Sequence, residues 1–191
     1  MTKPLIVINV VGLTREMLGD RTPHLTKLAI QGFSRSIGTV LPAVTCSAQS
    51  TLLTGLLPRD HGIVANGWYA RDLAEVMFWK QSNRLVQGEK IFETAKRRDP
   101  AYTTAKMFWW YNMYAPVEWS VTPRPSYPAD GRKVFDSYSQ PEGLKDELQS
   151  ELGVFPLLRF WGPGADIASS RWIVDASIKV FEEKKPFFFF F

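Results

Sequence analysis

Apolar residues form a nearly unbroken run close to the start of the chain, from Leu5 to Val11. A short run rich in Val and Ile that ends at a glycine, here Gly12, is typical of a parallel strand covered on both faces. Helical spacing follows, with start signals at Thr22-Pro23 and a stop at Gly32. The pattern therefore predicts a buried strand and then an amphipathic helix.

The same alternation continues along the chain. Further strands are predicted at Ser36–Val40, Glu75–Trp79 and Tyr102–Phe108. Further helices are predicted from Thr45 to Gly55 and over Glu89–Arg98, Pro141–Leu152 and Asp166–Lys185. Strands that alternate with helices indicate an α/β fold, with a mostly parallel sheet and flanking helices.

Two stretches interrupt this alternation. Residues 109–138 are rich in proline and aromatic residues, and we interpret them as an irregular excursion over the edge of the sheet. The last five residues, 187–191, are all phenylalanine, which fits either a genuine terminal strand or a truncation artefact. We favour truncation, because a sheet should not end on its most hydrophobic strand with nothing to cover it. Residues 1–191 are therefore expected to form one domain, incomplete at its C-terminus.

Composition narrows the choice of partners. The net charge is +4, but the basic residues are scattered without a dense stripe, which argues against nucleic acid as a partner. The single cysteine, Cys46, rules out an intramolecular disulfide and fits a reducing compartment. No apolar segment is long enough to span a membrane. We therefore expect a cytoplasmic protein that has no membrane partner.

The segment from Thr39 to Gly55 carries the candidate chemistry. It places the hydroxyl of Thr45 at the N-terminus of a predicted helix, where unpaired N–H groups and the helix dipole attract anions. A phosphoryl group held there would lie beside a potential nucleophile. The same position also suits a simple N-cap, so the local pattern leaves both roles open.

The wider pattern resembles the alkaline phosphatase superfamily, in its nucleotide pyrophosphatase/phosphodiesterase-like branch. The matching motifs cover roughly the first 70 residues. They are the opening strand with Gly12-Leu13, the segment from Thr22-Pro23 to Gly32, Pro42 with Thr45, Thr54-Gly55, Pro58, and His61-Gly62-Ile63 with Asn66. The resemblance implies an alkaline phosphatase-like fold.

It also implies a metal-dependent hydrolase of phosphodiester, pyrophosphate or phosphomonoester bonds that acts through a covalent phosphothreonine. By position, Thr45 would be the catalytic nucleophile and would ligate one of two divalent metal ions, expected to be zinc. The residues expected to bind phosphate are Thr45, Cys46, Ser47 and Gln49. Those expected to line the pocket for a small phosphorylated substrate are Asn66, Trp109 and Trp110.

The sequence departs from the family pattern at two positions. Val11 stands where the family usually has a metal-ligating Asp, and Ala48 replaces an Asn that helps to hold the phosphoryl oxygens. The chain has two histidines, His24 and His61, whereas two zinc ions need about six His and carboxylate ligands. We therefore expect this chain to bind no metal and to be inactive alone.

Two further hypotheses follow from these departures. One is a non-catalytic remnant of the same fold that binds a phosphorylated ligand or a protein. The other is an enzyme with Cys46 as its nucleophile, which would require a reactive thiol.

Overall fold

A computed structural model describes residues 3–126, 128–132 and 134–191, in two compact units. The smaller unit, residues 8–39, contains a 3₁₀ turn at Arg15–Met17 and helix α1 (Pro23–Gln31). The predicted start of α1 at Thr22-Pro23 and its predicted end at Gly32 are both confirmed. The predicted strand at 36–40 is wrong, because this segment pairs with no neighbouring strand among the described residues.

The larger unit, residues 1–7 and 40–191, is built on a five-stranded sheet in the order β1-β7-β4-β5-β6. Its strands are β1 (Leu5–Val7), β4 (Thr104–Met107), β5 (Trp119–Pro123), β6 (Ser137–Gln140) and β7 (Phe188–Phe190). Neighbours are parallel except β5 and β6, which are antiparallel. A separate antiparallel hairpin joins β2 (Gly67–Ala70) to β3 (Glu75–Phe78). The predicted α/β class with a mostly parallel sheet is confirmed.

Helices cover both faces of this sheet. Those that pack on the sheet are α2 (Thr45–Thr54), α4 (Ile91–Arg98), α5 (Leu144–Leu152) and α6 (Ile167–Lys184), whereas the short α3 (Pro58–His61) packs against α2. Because side chains alternate along a strand, Phe189 packs with α5 and α6, whereas Phe188 and Phe190 pack with Leu53 of α2 and Phe92 of α4. No helix among the described residues is long and apolar enough to cross a lipid bilayer.

The first strand differs from its prediction in length and burial. Pairing with β7 ends at Val7, where Val7 lies opposite Phe190, so the strand is shorter than residues 5–11. The strand lies at the edge of the sheet, and Leu5 and Ile6 remain 50% and 43% exposed. The expectation that both faces are covered is therefore wrong.

Two interruptions in the sequence pattern also differ in the structure. Residues 109–138 are not irregular throughout, because β5 lies inside the sheet between β4 and β6. The expectation of an uncovered phenylalanine run is wrong as well. Strand β7 lies between β1 and β4, and Phe188, Phe189 and Phe190 are at most 3% exposed.

Candidate functional site

Helix α2 begins at Thr45 without a side-chain cap. Its N-cap residue, Val44, has no group that could accept a hydrogen bond from the first turn. Thr45 is exposed, and its backbone N–H and that of Ser47 make no hydrogen bond within the described residues. Unpaired donors at a helix start attract negative charge, which the helix dipole reinforces. The structure therefore places an exposed hydroxyl beside the unpaired N–H of Thr45, whereas Ser47 is 0% exposed and its N–H is covered.

Asn66 completes this arrangement from outside the helix. Its side-chain Oδ1 accepts a hydrogen bond of 2.9 Å from the backbone N–H of Cys46. Its backbone carbonyl accepts another, of 3.0 Å, from the N–H of Trp79, which fixes the residue at the start of the β2–β3 hairpin. Since Oδ1 is the acceptor, the Nδ2 amide keeps its donors for a ligand. Asn66 and Thr45 therefore frame one end of α2.

The other predicted phosphate-binding side chains are engaged elsewhere. The hydroxyl of Ser47 lies 2.6 Å from the carbonyl oxygen of Pro42, to which it donates. Buried Gln49 accepts a 2.9 Å hydrogen bond at Oε1 from the backbone N–H of Trp110. Both side chains therefore stabilise the fold, and the fully buried Ser47 offers a ligand no accessible group.

Cys46 is fully buried beside the ring of Tyr111. Burial raises the pKa of its thiol to about 12, so almost none of it is thiolate near neutral pH. A nucleophilic cysteine needs the opposite shift, toward a lower pKa. This environment weighs against the hypothesis of a Cys46 enzyme.

An aromatic cleft is lined in part by Trp110, whose backbone N–H is hydrogen-bonded to Gln49 of α2. It has a volume of about 700 Å³ and is lined chiefly by Phe78, Trp79, Gln81, Trp110, Arg124 and Trp161. Trp110 and Trp79 also pack in one cluster with Cys46, so the cleft shares a wall with the first turn of α2. Trp109, predicted with Trp110 as a pocket residue, instead packs in the core with its ring centre 5.3 Å from that of Phe190.

The backbone around the cleft is strained. Trp79, Phe108 and Tyr111 have φ angles of 49°, 59° and 57°, in a region that bulky side chains rarely adopt. Such strain persists only where the surrounding structure enforces it, and it concentrates at functional sites. The segment that follows β4 therefore holds its aromatic side chains in a costly arrangement next to α2.

Comparison with known proteins identifies the family of the chain. Residues 5–191 match the family described as type I phosphodiesterase / nucleotide pyrophosphatase. The chain belongs to this family. The predicted resemblance is thereby confirmed. None of the curated proteins matches the chain.

Solved structures of phosphonoacetate hydrolase from Sinorhizobium meliloti 1021 share the fold of this phosphodiesterase-family chain. The complex with phosphonoformate has a TM-score of 0.66 at 17% identity, and the complex with phosphonoacetate has 0.68 at 18%. Each alignment covers 99% of this chain and 45% of the hydrolase. The chain thus spans less than half the length of the structures it matches.

The described residues do not fit the two-metal centre that the resemblance implies. No group of three or more His, Cys, Asp or Glu side chains lies close enough to hold an ion in the described part of this phosphodiesterase-family chain. His61 is buried, and its Nδ1 accepts a 3.1 Å hydrogen bond from the backbone N–H of Ile63. This contact assigns the ring proton to Nε2, which lies 3.0 Å from the Thr51 hydroxyl. His24 is exposed on α1. Both ring nitrogens of His61 are therefore already occupied.

Sequence reasoning named only Trp110 among the residues that line the cleft and missed the others, Trp79, Arg124 and Trp161 among them. They come from distant segments, and only the aromatic pair Phe78-Trp79 gave a local signal. It also missed the buried amine of Lys106 on β4, which makes no hydrogen bond within the described residues. A lone lysine in a strand carries no such signal, because burial is decided by the elements that pack on it.

Proposed function

We propose that this member of the phosphodiesterase family holds the phosphoryl group of a small phosphate or phosphonate ester at the start of α2, with Thr45 as the nucleophile. The observation that carries the proposal is the exposed Thr45 hydroxyl beside the unpaired backbone N–H of Thr45 at the first turn of α2. Family membership over residues 5–191 supports a phosphoester hydrolase lineage. Asn66 adds a neutral amide donor, which can hydrogen-bond to a phosphoryl oxygen as negative charge develops on that oxygen.

The proposed step is phosphoryl transfer to threonine. The Thr45 Oγ forms a bond to phosphorus, the bond to the leaving group breaks, and the hydroxyl proton is released to solvent or to the departing oxygen. Water then cleaves the phosphothreonine and returns the hydroxyl. An alcohol is a weak nucleophile unless a base or a metal activates it, and the first turn of α2 contains neither a carboxylate nor a histidine.

A second candidate is therefore a protein that binds a phosphorylated ligand without turning it over. The observation that favours it is the lack of a three-ligand cluster in the described part of the chain. Val11 and Ala48 point the same way. In this case the donors at α2 bind phosphate and Thr45 only contributes a hydrogen bond.

A cytoplasmic location is also proposed, from the single free thiol of Cys46.

Covalent trapping separates the two candidates. The full chain is incubated with 4-nitrophenyl phosphate and zinc, and peptide mass spectrometry then locates any phosphoryl adduct. The first candidate predicts an adduct on Thr45 that persists in Thr45→Ser and disappears in Thr45→Ala. Phosphate binding without any adduct would reject the nucleophile and support the second candidate. An adduct on another residue would reject the assignment of Thr45.

A further inference from the structure

The walls of the aromatic cleft are flat and mutually braced. The rings of Trp79 and Trp110 meet edge to face at 4.9 Å, and Trp161 lies 6.1 Å from each of them. Phe78 extends the wall by an edge contact of 5.5 Å with Trp79. A volume of about 700 Å³ is within the range of small-molecule sites. Such walls favour a flat ring, because stacking and edge contacts need a planar partner.

The polar groups of the cleft are donors. The indole Nε1 of Trp110 is buried and has no acceptor within the described residues. The Gln81 amide is oriented by its neighbours, since Oε1 accepts a 3.0 Å hydrogen bond from the Tyr138 hydroxyl, so its remaining N–H is what a ligand can meet. The Nε1 of Trp110 has almost no accessible surface, so the accessible charged donor of the cleft is the guanidinium of Arg124.

The charge of the cleft is positive. Arg124 is exposed at its rim, and no ion pair to its guanidinium is found within residues 3–126, 128–132 and 134–191. No Asp or Glu is among the described residues that line the cleft. A guanidinium binds a carboxylate through two parallel hydrogen bonds, which adds direction as well as attraction.

We propose that the cleft formed by Trp79, Trp110, Trp161 and Arg124 binds a flat aromatic ring that carries a carboxylate or a similar anionic group. The ring lies against the indoles, and its anionic group meets Arg124. If the ring is the organic part of the phosphate ester, this inference rests on the proposed function. Because Trp110 is tied to Gln49 on α2, a ligand in the cleft would lie beside the proposed phosphoryl site.

The test uses the full chain, without metal, and two probes of equal ring size. 2-Naphthoate carries the carboxylate, and 2-naphthol is its neutral counterpart. Calorimetry and saturation-transfer NMR are expected to show that 2-naphthoate binds at least about tenfold more tightly than 2-naphthol, as a charge-assisted bidentate contact would produce. Equal affinity for the two probes, or no binding of 2-naphthoate, would overturn the proposal.

Variants locate the site. Arg124→Gln should weaken 2-naphthoate about tenfold and leave 2-naphthol unchanged, whereas Trp161→Leu should weaken both about tenfold. Arg98→Gln, an exposed arginine on α4, is the matched control for net charge and should change neither affinity. An Arg124→Gln protein that binds 2-naphthoate normally would also overturn the proposal. Thr45→Ala should not affect either probe, so failure of the proposed nucleophile and failure of this cleft are separable.

Discussion

Lys106 provides a direct test of the energetics of this core. Its side chain is fully buried on β4, and its Nζ lies 4.9 Å from the centre of the Phe92 ring with no hydrogen-bond acceptor among the described residues. Burial and the nearby positive charge of Lys90 lower the pKa of Lys106 from 10.5 to about 7, and the carboxylate of Glu93 opposes the shift. The amine is thus close to losing its charge at neutral pH.

The sign of the effect on stability follows from proton uptake. In the unfolded chain Lys106 binds a proton up to a pH of about 10.5, but in the folded chain only up to about 7. Between these values the unfolded state holds more protons, so the free energy of unfolding rises with pH across this window. Below pH 7 the folded protein bears the full cost of burying the charged amine. This cost is about 5 kcal/mol, because the pKa falls from 10.5 to about 7 and each pH unit corresponds to roughly 1.4 kcal/mol. The cation–π contact with Phe92 offsets about 1 kcal/mol of it.

The variant Lys106→Met keeps the length of the side chain and removes the amine. We expect it to raise the free energy of unfolding by about 4 kcal/mol at pH 6, and by only about 1 kcal/mol at pH 10, where the folded lysine is neutral and the unfolded lysine lies within about half a pH unit of its own pKa. Urea unfolding of both proteins from pH 6 to pH 10 measures this difference. The control is Lys27→Met on α1, an exposed position that should show no such trend. A gain that is independent of pH, or a loss of stability at every pH, would refute the reasoning.

Three further predictions follow from local geometry. Gly88→Ala should lower the free energy of unfolding by about 2 kcal/mol, because Gly88 has a φ of +82° and an added Cβ would lie 2.4 Å from Leu56. Gly131 has the same φ but open space around it, so Gly131→Ala should lower the free energy of unfolding, measured in urea, by only about 1 kcal/mol. Cys46 should react with iodoacetamide at pH 8 no faster than global unfolding allows, and rapid alkylation of the folded protein would contradict its raised pKa. Burial lowers the pKa of His61 in the folded protein, so the stability that His61 contributes should be present above pH 6.5 and should decline as the pH falls below 6.5. His61→Gln should flatten this decline when the free energy of unfolding is measured from pH 7.5 to 5.

Helix α2 shows what the sequence could predict. Its limits depend on local chemistry, since this helix of small residues ends at Gly55, which adopts the left-handed conformation that closes a helix. Strand β5 shows the opposite case. Trp119–Pro123 lies in a segment dominated by proline and aromatic residues, and it becomes a strand because β4 and β6 pair with it on either side. That pairing is not visible in local composition.

The candidate site divides in the same way. Thr45 and Asn66 were predicted together because they belong to one continuous motif, and the Asn66 side chain accepts a hydrogen bond from the N–H of Cys46, next to Thr45. The cleft was found only in part, through Trp110, because Trp79 and Trp161 reach it from segments far apart in the chain. The cover over the terminal phenylalanines was not foreseen for a related reason, since the strands that bury them lie at the other end and in the middle of the sequence.

The central claim is that the start of α2 binds a phosphoryl group, and an amide NMR titration tests it most directly. Inorganic phosphate added to the full chain should shift the backbone amide signal of Thr45 in a saturable way, and Asn66→Ala should weaken this binding. Arg98→Gln should leave it unchanged. An amide signal of Thr45 that does not move, while the protein remains folded, would contradict the account.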